Sequence, residues 1–424
     1  MMKFFEKISG FAQKHPYLTC LALLTALLGL PLLMRPAHIP DEGRYAEVAR
    51  DMLVNHHWLI PHINEYPHLT KPPTFYALAA ILMGALGKKM AVVRLVSALA
   101  YLALLLYAVK WSGKRGGRGA SALTALIGAT MFQPLVGAEY ADLNTLFTLF
   151  VALGHLHFFD ALQNPKTSGK WYAAWFFWGL AFVTKGPPTI IIAAFTIILY
   201  RLLSGRKIRI PVKTWIAGLI LWAVVSFPWY IWIVVYYGET IIEFWGVDVV
   251  RRTAVASAES GESGIPGFYI PVFLMGGAAW SILAILELFR ASRSRNSGTR
   301  LWRFLYEKIR GLPPDLLWLF CWCAGTILAF SLLMAKMLSY IHPCYPAFIL
   351  FLALYFARKL EWNKHKALAR TFFASVFLFI VLFWGIPIYG FFSTDSRGDV
   401  KSATFVNNKH FEAQWIGNRL EKLG

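Results

Sequence analysis

The chain has 424 residues, 57% of them hydrophobic and only 15% charged, with a mean hydropathy of +0.52. Soluble domains carry about 25% charged residues, so a soluble enzyme, a disordered protein and a fibrous repeat are excluded. The unbroken apolar runs also exclude a transmembrane barrel, whose strands alternate. The formal charge of +20 would suit nucleic-acid binding, but that reading fails once the charges are placed on a topology.

What remains is an all-α polytopic membrane protein. Lys3, Lys7 and Lys14 precede an apolar run from Tyr17 to Met34. The run is too long for the apolar core of a secretory signal, and no A-x-A site follows. It reads as an uncleaved first span with the N-terminus in the cytosol. The first periplasmic loop covers residues 35–90. Pro40 ahead of Asp41 predicts a helix start, with Arg44 one turn on along the same face. Thr74–Gly87, between Lys71 and Lys88, is a 14-residue apolar run. As a helix it reaches about 21 Å against a hydrocarbon core of roughly 30 Å, so it is interfacial or re-entrant.

Further apolar runs lie at 91–109, 120–138, 143–162, 171–184, 187–203, 214–237, 267–289, 315–334, 340–357 and 371–391, which makes about 11 spans with the first. They form one transmembrane domain over 1–391, followed by a short periplasmic tail, 392–424. This topology places 26 of the 42 Lys and Arg on the cytosolic side but only 6 of the 22 acids. The whole excess of +20 is then a positive-inside signal. Counting 74–87 as a span inverts everything after it and destroys the pattern. Cys20, Cys321, Cys323 and Cys344 all fall in apolar segments, which favours helix packing over a disulfide framework.

The polar residues at the outer ends of the spans are the candidates for chemistry. In the first loop, Asp41, Glu42, Arg44 and Tyr45 precede Trp58-Leu59-Ile60-Pro61-His62 and then Lys71-Pro72-Pro73. Paired acids at a membrane surface suit a base or a cation site, or simply a capped, solvated helix. Thr184-Lys185-Gly186-Pro187-Pro188 is flanked by apolar runs of only about 13 and 12 residues. These would recess Lys185 below the outer surface, where its natural partner is an anion. Asp142 reads as a cap or an acid, and Asp248 and Arg251 share a later outer loop. Lys336 and Tyr340 lie in another outer turn. His38, His56, His57, His62 and His68 cluster in the first loop, but without an H-x₃-H or HExxH spacing zinc ligation has little support there.

In combination, D-E-x-R-Y-A-E after the first span, W-x₂-P-H-x-N and K-P-P before an aromatic resemble the polyprenyl-phosphate-sugar glycosyltransferases of the GT-C superfamily. The resemblance is nearest to the aminoarabinose lipid A transferases and the protein O-mannosyltransferase-like family around them. T-K-G-P at 184–187, P-W-Y at 228–230 and K-x₃-Y-I-x-P at 336–343 follow in the same order. The resemblance implies a GT-C-like fold in the bacterial inner membrane. It also implies inverting transfer of a sugar from undecaprenyl phosphate to a periplasm-facing acceptor, with lipid A or another glycolipid favoured. On this basis Asp41, Glu42 and Asp142 are the candidate catalytic acids. Arg44, Tyr45, Lys71, Lys185, Arg251, Lys336 and Tyr340 are the candidate contacts to donor phosphate and sugar. A divalent cation would fall to Asp41, Asp142 and Asp248. Two positions depart from the family pattern. Thr70 stands where relatives usually carry Glu before K-P-P, and Asp248 stands where they often carry His. If relatives bind a metal through those residues, the site is altered here. The large C-terminal outer domain of relatives is also not expected in a tail of 33 residues.

Rival readings are a lipid-linked sugar flippase or transporter, a protein O-glycosyltransferase of the same fold, and a polymerase or ligase of polyprenyl-linked glycans. A transporter predicts charges near the membrane midplane; here they sit at the outer ends.

Overall fold

The computed structural model describes residues 1–35, 41–63, 66–164, 168–205, 210–254, 267–293, 300–333, 336–359 and 365–384. The side chains of Asp41, Asp248 and Arg251 lie outside that description, as do the loop 255–266 and the tail 392–424.

An amphipathic helix α1 (Met2–Lys14) precedes the first apolar helix α2 (Pro16–Met34). Helix α1 buries Phe5 and Ala12, stacks Phe4 on Phe373 and sets Phe5 tilted against Phe372. Two helices form in the first loop where the sequence predicts them, α3 (Asp41–Val54) and α4 (Thr74–Leu86), and they pack on one another. Between them lies a hairpin of β1 (His62–Ile63) and β2 (Tyr66–Pro67), with His62 opposite Pro67 and Ile63 opposite Tyr66.

Helix α5 (Met90–Gly128) contains a break at Gly116 and Gly117, the latter at φ +67°, where an L side chain would be strained. The chain folds back on itself there. Tyr101 Oη donates to Gly128 O at 2.6 Å, and Ser121 Oγ donates to Val109 O at 3.1 Å. The 39-residue element is therefore an antiparallel hairpin: its first arm covers the run 91–109, while the run 120–138 is divided between its second arm and a separate helix beginning at Phe132.

The bundle continues through α6 (Phe132–Glu139), α7 (Leu143–Gln163), α8 (Ser168–Lys185) and α9 (Pro188–Ser204). Two bent pairs follow. Helices α10 (Val212–Ser226) and α11 (Pro228–Tyr237) meet at 51°, and after α12 (Glu239–Ala254), α13 (Tyr269–Gly277) and α14 (Ala279–Arg293) meet at 107°. The described chain closes with α15 (Leu301–Arg310), α16 (Pro314–Ser331), a 3₁₀ segment Leu338–Cys344, α17 (Tyr345–Lys359) and α18 (Lys366–Phe383). Among the described residues, six helices are long and apolar enough to cross a membrane, or eight if each bent pair is one span.

The core is aromatic. Trp318 and Trp322 are fully buried, His155 stacks on Trp322, and Phe158 stacks on Trp318. Helix α7 fixes the polarity of the bundle, with Asp142 at one end and Asp160 at the other. At the Asp160 end, Arg115 and Lys170 pair with Asp160, and Arg358 pairs with Asp315. At the Asp142 end the candidate residues converge.

Candidate active site

The site end is built on a buried ion cluster linking the first loop to two helix ends. Glu42, in the first turn of α3, has no exposed surface. Its carboxylate accepts from Arg94 Nε and Nη2, both at 2.9 Å, from Arg35 Nη2 at 2.9 Å and from the Ala141 backbone N–H at 2.9 Å. Arg94 also donates to the carbonyls of Leu32 and Arg35 at 3.2 and 2.8 Å, tying the end of α2 to the start of α5. Arg35 reaches on to Glu139 and lies 4.5 Å over the Tyr140 ring. Burial pushes the Glu139 carboxyl up to about 7, against the lowering pull of Arg35. Two arginines thus bind two glutamates with most hydrogen-bonding positions filled, the condition under which buried charge is tolerated. The cluster fixes the backbone at Ala141, one residue before Asp142.

Asp142 caps α7 by accepting from the Asn144 backbone N–H at 3.2 Å, and the Asn144 side-chain amide donates to its other carboxylate oxygen. The Asn144 carbonyl oxygen in turn accepts from Lys185 Nζ. Lys185 ends α8, and its ammonium lies 5.3 Å from the Phe147 ring centroid and 5.0 Å from that of Tyr340. Asp142, Lys185 and Tyr340, chosen from three separate stretches of sequence, therefore form one group. Helices α8 and α9 run 18 and 17 residues, about 27 and 26 Å, with polar residues extending each helix beyond its apolar run. Lys185 is half-buried where α7, α8 and the 3₁₀ segment meet.

The K-P-P turn reaches the same place. Thr74, directly after it, donates to Val183 O at 2.9 Å, two residues before Lys185. Thr70 Oγ1 lies 3.1 Å from His68 Nε2, which is 3.2 Å from the Tyr76 hydroxyl. Indole N–H groups pin the loop from the other side. Trp229 donates to Leu59 O at 2.7 Å and Trp245 to Leu69 O at 3.0 Å. Gly186 stands at φ +86°, and a Cβ there would lie 3.2 Å from the Tyr230 hydroxyl. The P-W-Y sequence thus braces the first loop against the T-K-G-P turn.

Tyr45 is buried and stacks on Tyr76, with Phe75 edge-on, packing α3 on α4. Arg44 lies 5.5 Å over the Tyr45 ring. The Lys336 ammonium donates to the carbonyls of Phe330, Ser331 and Leu333, capping the end of α16. Lys71 is half-buried in its turn. Asp41 begins α3, and Asp248 and Arg251 lie on α12, without described side chains. Of the three acids offered for a divalent cation, Asp142 alone has a described carboxylate, and both its oxygens accept from Asn144. Sequence reasoning missed Arg35, Arg94, Glu139 and Asn144. Arg94 could have been found, since a charge inside the apolar run 91–109 is the same signal that singled out Lys185.

The described chain is a helical bundle with two bent helix pairs and two helices packed on one another in its first loop. Residues 70–232 match the family model described as dolichyl-phosphate-mannose-protein mannosyltransferase. The chain is 28% identical over 334 residues to the undecaprenyl phosphate-alpha-4-amino-4-deoxy-L-arabinose arabinosyl transferase of Erwinia tasmaniensis, covering 76% of this chain and 56% of that one. It is 26% identical over 352 residues to such a transferase of Proteus mirabilis, covering 82% of this chain and 60% of the relative. The chain thus spans little more than half the length of these curated relatives. The fold is shared with ArnT from Cupriavidus metallidurans, solved bound to undecaprenyl phosphate. The TM-score there is 0.68 at 21% identity, over 89% of this chain and 65% of that one. The same protein in the apo state gives 0.66. The GT-C resemblance read from the motifs therefore holds across most of the chain, and the fold is GT-C-like.

Proposed function

We propose that the chain is an inverting glycosyltransferase of the bacterial inner membrane. It takes a sugar from undecaprenyl phosphate and passes it to an acceptor at the periplasmic face, with lipid A or another glycolipid as the first choice. The observation that carries this reading is the Lys185 group: an ammonium set between two aromatic faces, fixed by Asn144 beside Asp142, at the bundle end where the K-P-P turn docks. The named activity of the relatives and the undecaprenyl phosphate in the ArnT crystals support it. The positive-inside distribution supports a cytosolic N-terminus, which turns the Lys185 end outward.

An acceptor oxygen attacks the anomeric carbon, and the bond from that carbon to the phosphate oxygen breaks. The electron pair leaves with undecaprenyl phosphate, and one in-line displacement inverts the configuration. Charge develops on the phosphate, where Lys185, Lys71 and Arg251 act as the stabilising cations. A hydroxyl acceptor gives its proton to Asp41. A lipid A phosphate is already anionic and leaves Asp41 a positioning role. Glu42, buried in its arginines, holds the scaffold. The charged residues of the described helices gather at the two bundle ends, which favours interfacial chemistry over transport.

The test is mass spectrometry of outer-membrane glycolipids from cells with and without the gene, rescued by the wild-type or Lys185→Ala chain. Loss of one sugar mass, restored by the wild type alone, is expected. An unchanged profile would move the acceptor to protein or another polymer. If the lipid-linked sugar also failed to accumulate, the transferase reading would give way to the transporter.

A further inference from the structure

The far end of α3 carries a second cluster, about ten residues and on the order of 15 Å along the helix from Glu42. After α3 the chain turns sharply through Asn55 and His56, the latter in the left-handed region at φ 61°. The turn is closed by the Asn55 N–H donating to Asp51 O at 2.7 Å and the Asn55 amide donating to Asp51 Oδ1 at 2.6 Å. It sets His57 Nδ1 2.8 Å from Asp51 Oδ2. The β1–β2 hairpin then returns His62 so that its ring centroid lies 4.0 Å from that of His57. One ligand atom from each of Asp51, His57 and His62 lies within 4.8 Å of the other two. His62 Nδ1 is 2.7 Å from Ile60 O. A carbonyl can only accept, so Nδ1 carries the hydrogen and Nε2 keeps a lone pair. That is the tautomer a metal-binding histidine adopts when its second nitrogen is anchored on the backbone.

We propose that Asp51, His57 and His62 form a zinc site of three protein ligands that clips the end of α3 to the hairpin of the first loop. Two imidazoles and one carboxylate suit zinc, and three protein ligands leave one position for water or an anion. Asp51 is buried and His57 is 40% exposed, so a metal can enter from the His57 side. The Asn55 amide on the second Asp51 oxygen orients the carboxylate, as outer-shell partners do. The site shares no residue with the Lys185 group and does not depend on the transferase reading.

The experiment uses the full chain in detergent after chelation, titrated with zinc and, separately, with cobalt as a spectroscopic stand-in. One equivalent of zinc per chain and the visible absorption of four-coordinate cobalt are expected. His57→Ala and His62→Ala should each weaken binding at least tenfold, while His56→Asn, which keeps a residue tolerant of the left-handed region, should not. Zinc should also protect His57 and His62, but not His56, from carbethoxylation in the wild-type chain, a readout that needs no variant to fold. Absence of the cobalt bands, equal zinc content in all variants, or no selective protection would each overturn the proposal.

Discussion

Lys185 is held at its tip by Asn144 and at its sides by Phe147 and Tyr340, so its ammonium has one preferred direction. A cation fixed in advance loses no reorganisation energy when charge develops on a phosphate. Lys185→Ala should therefore lower kcat/KM about 10²–10³-fold in a donor-consumption assay, the loss seen when one oxyanion donor is removed. Asn144→Ala should have a smaller effect, on the order of tenfold, because the charge stays and its aim is lost. Activity of Lys185→Ala within twofold of wild type would remove it from the site. The Glu42 cluster should respond in stability instead. Removing one partner of a buried ion pair costs about 3–5 kcal/mol, so Glu42→Ala should sharply reduce folded yield and Tm. The paired change Glu42→Leu with Arg94→Met should recover part of that loss. Equal Tm for wild type and Glu42→Ala would show that the cluster does not hold α2, α3 and α5 together.

At the scale of elements, close approaches position the group. Gly137 of α6 lies against His342 of the 3₁₀ segment, and a Cβ there would come within 2.3 Å of His342 Cε1. Overpacking of this kind costs about 1–3 kcal/mol. Gly137→Ala should therefore lower Tm and, by shifting the segment that carries Tyr340, lower activity further than Tm alone explains. An unchanged kcat/KM would show that Tyr340 tolerates the shift. Several of these elements were legible in the sequence. Pro40–Asp41 marked the start of α3, the 14-residue run 74–87 marked α4, and Asp142 was read as a cap. These signals are local, set by caps, prolines and run length. The Glu42–Arg94 pair joins residues 52 apart and Arg35–Glu139 joins residues 104 apart. No local pattern encodes such distances. The return of His62 to His57 depends on a left-handed histidine, which hydropathy does not reveal.

At the scale of the whole molecule, charge and fold agree. The Asp160 end gathers Arg115, Lys170, Arg358 and Lys359, and the Asp142 end gathers the Lys185 group and the docked first loop. On the proposed function, a lipid-linked donor would reach this end from the bilayer. Aromatic braces from α11 and α12 hold the loop there: Trp229 and Trp245 bond to carbonyls on both sides of the β-hairpin. The most direct measurement incubates the purified full chain in lipid with undecaprenyl-phosphate-linked sugars extracted from the same cells and with glycolipid acceptors including lipid A, and follows donor and acceptor by mass spectrometry. Release of undecaprenyl phosphate matched by an equal gain of one sugar mass on a glycolipid, abolished in Lys185→Ala, is the predicted result. A donor that stays intact, or that crosses the bilayer without losing its sugar, would contradict it.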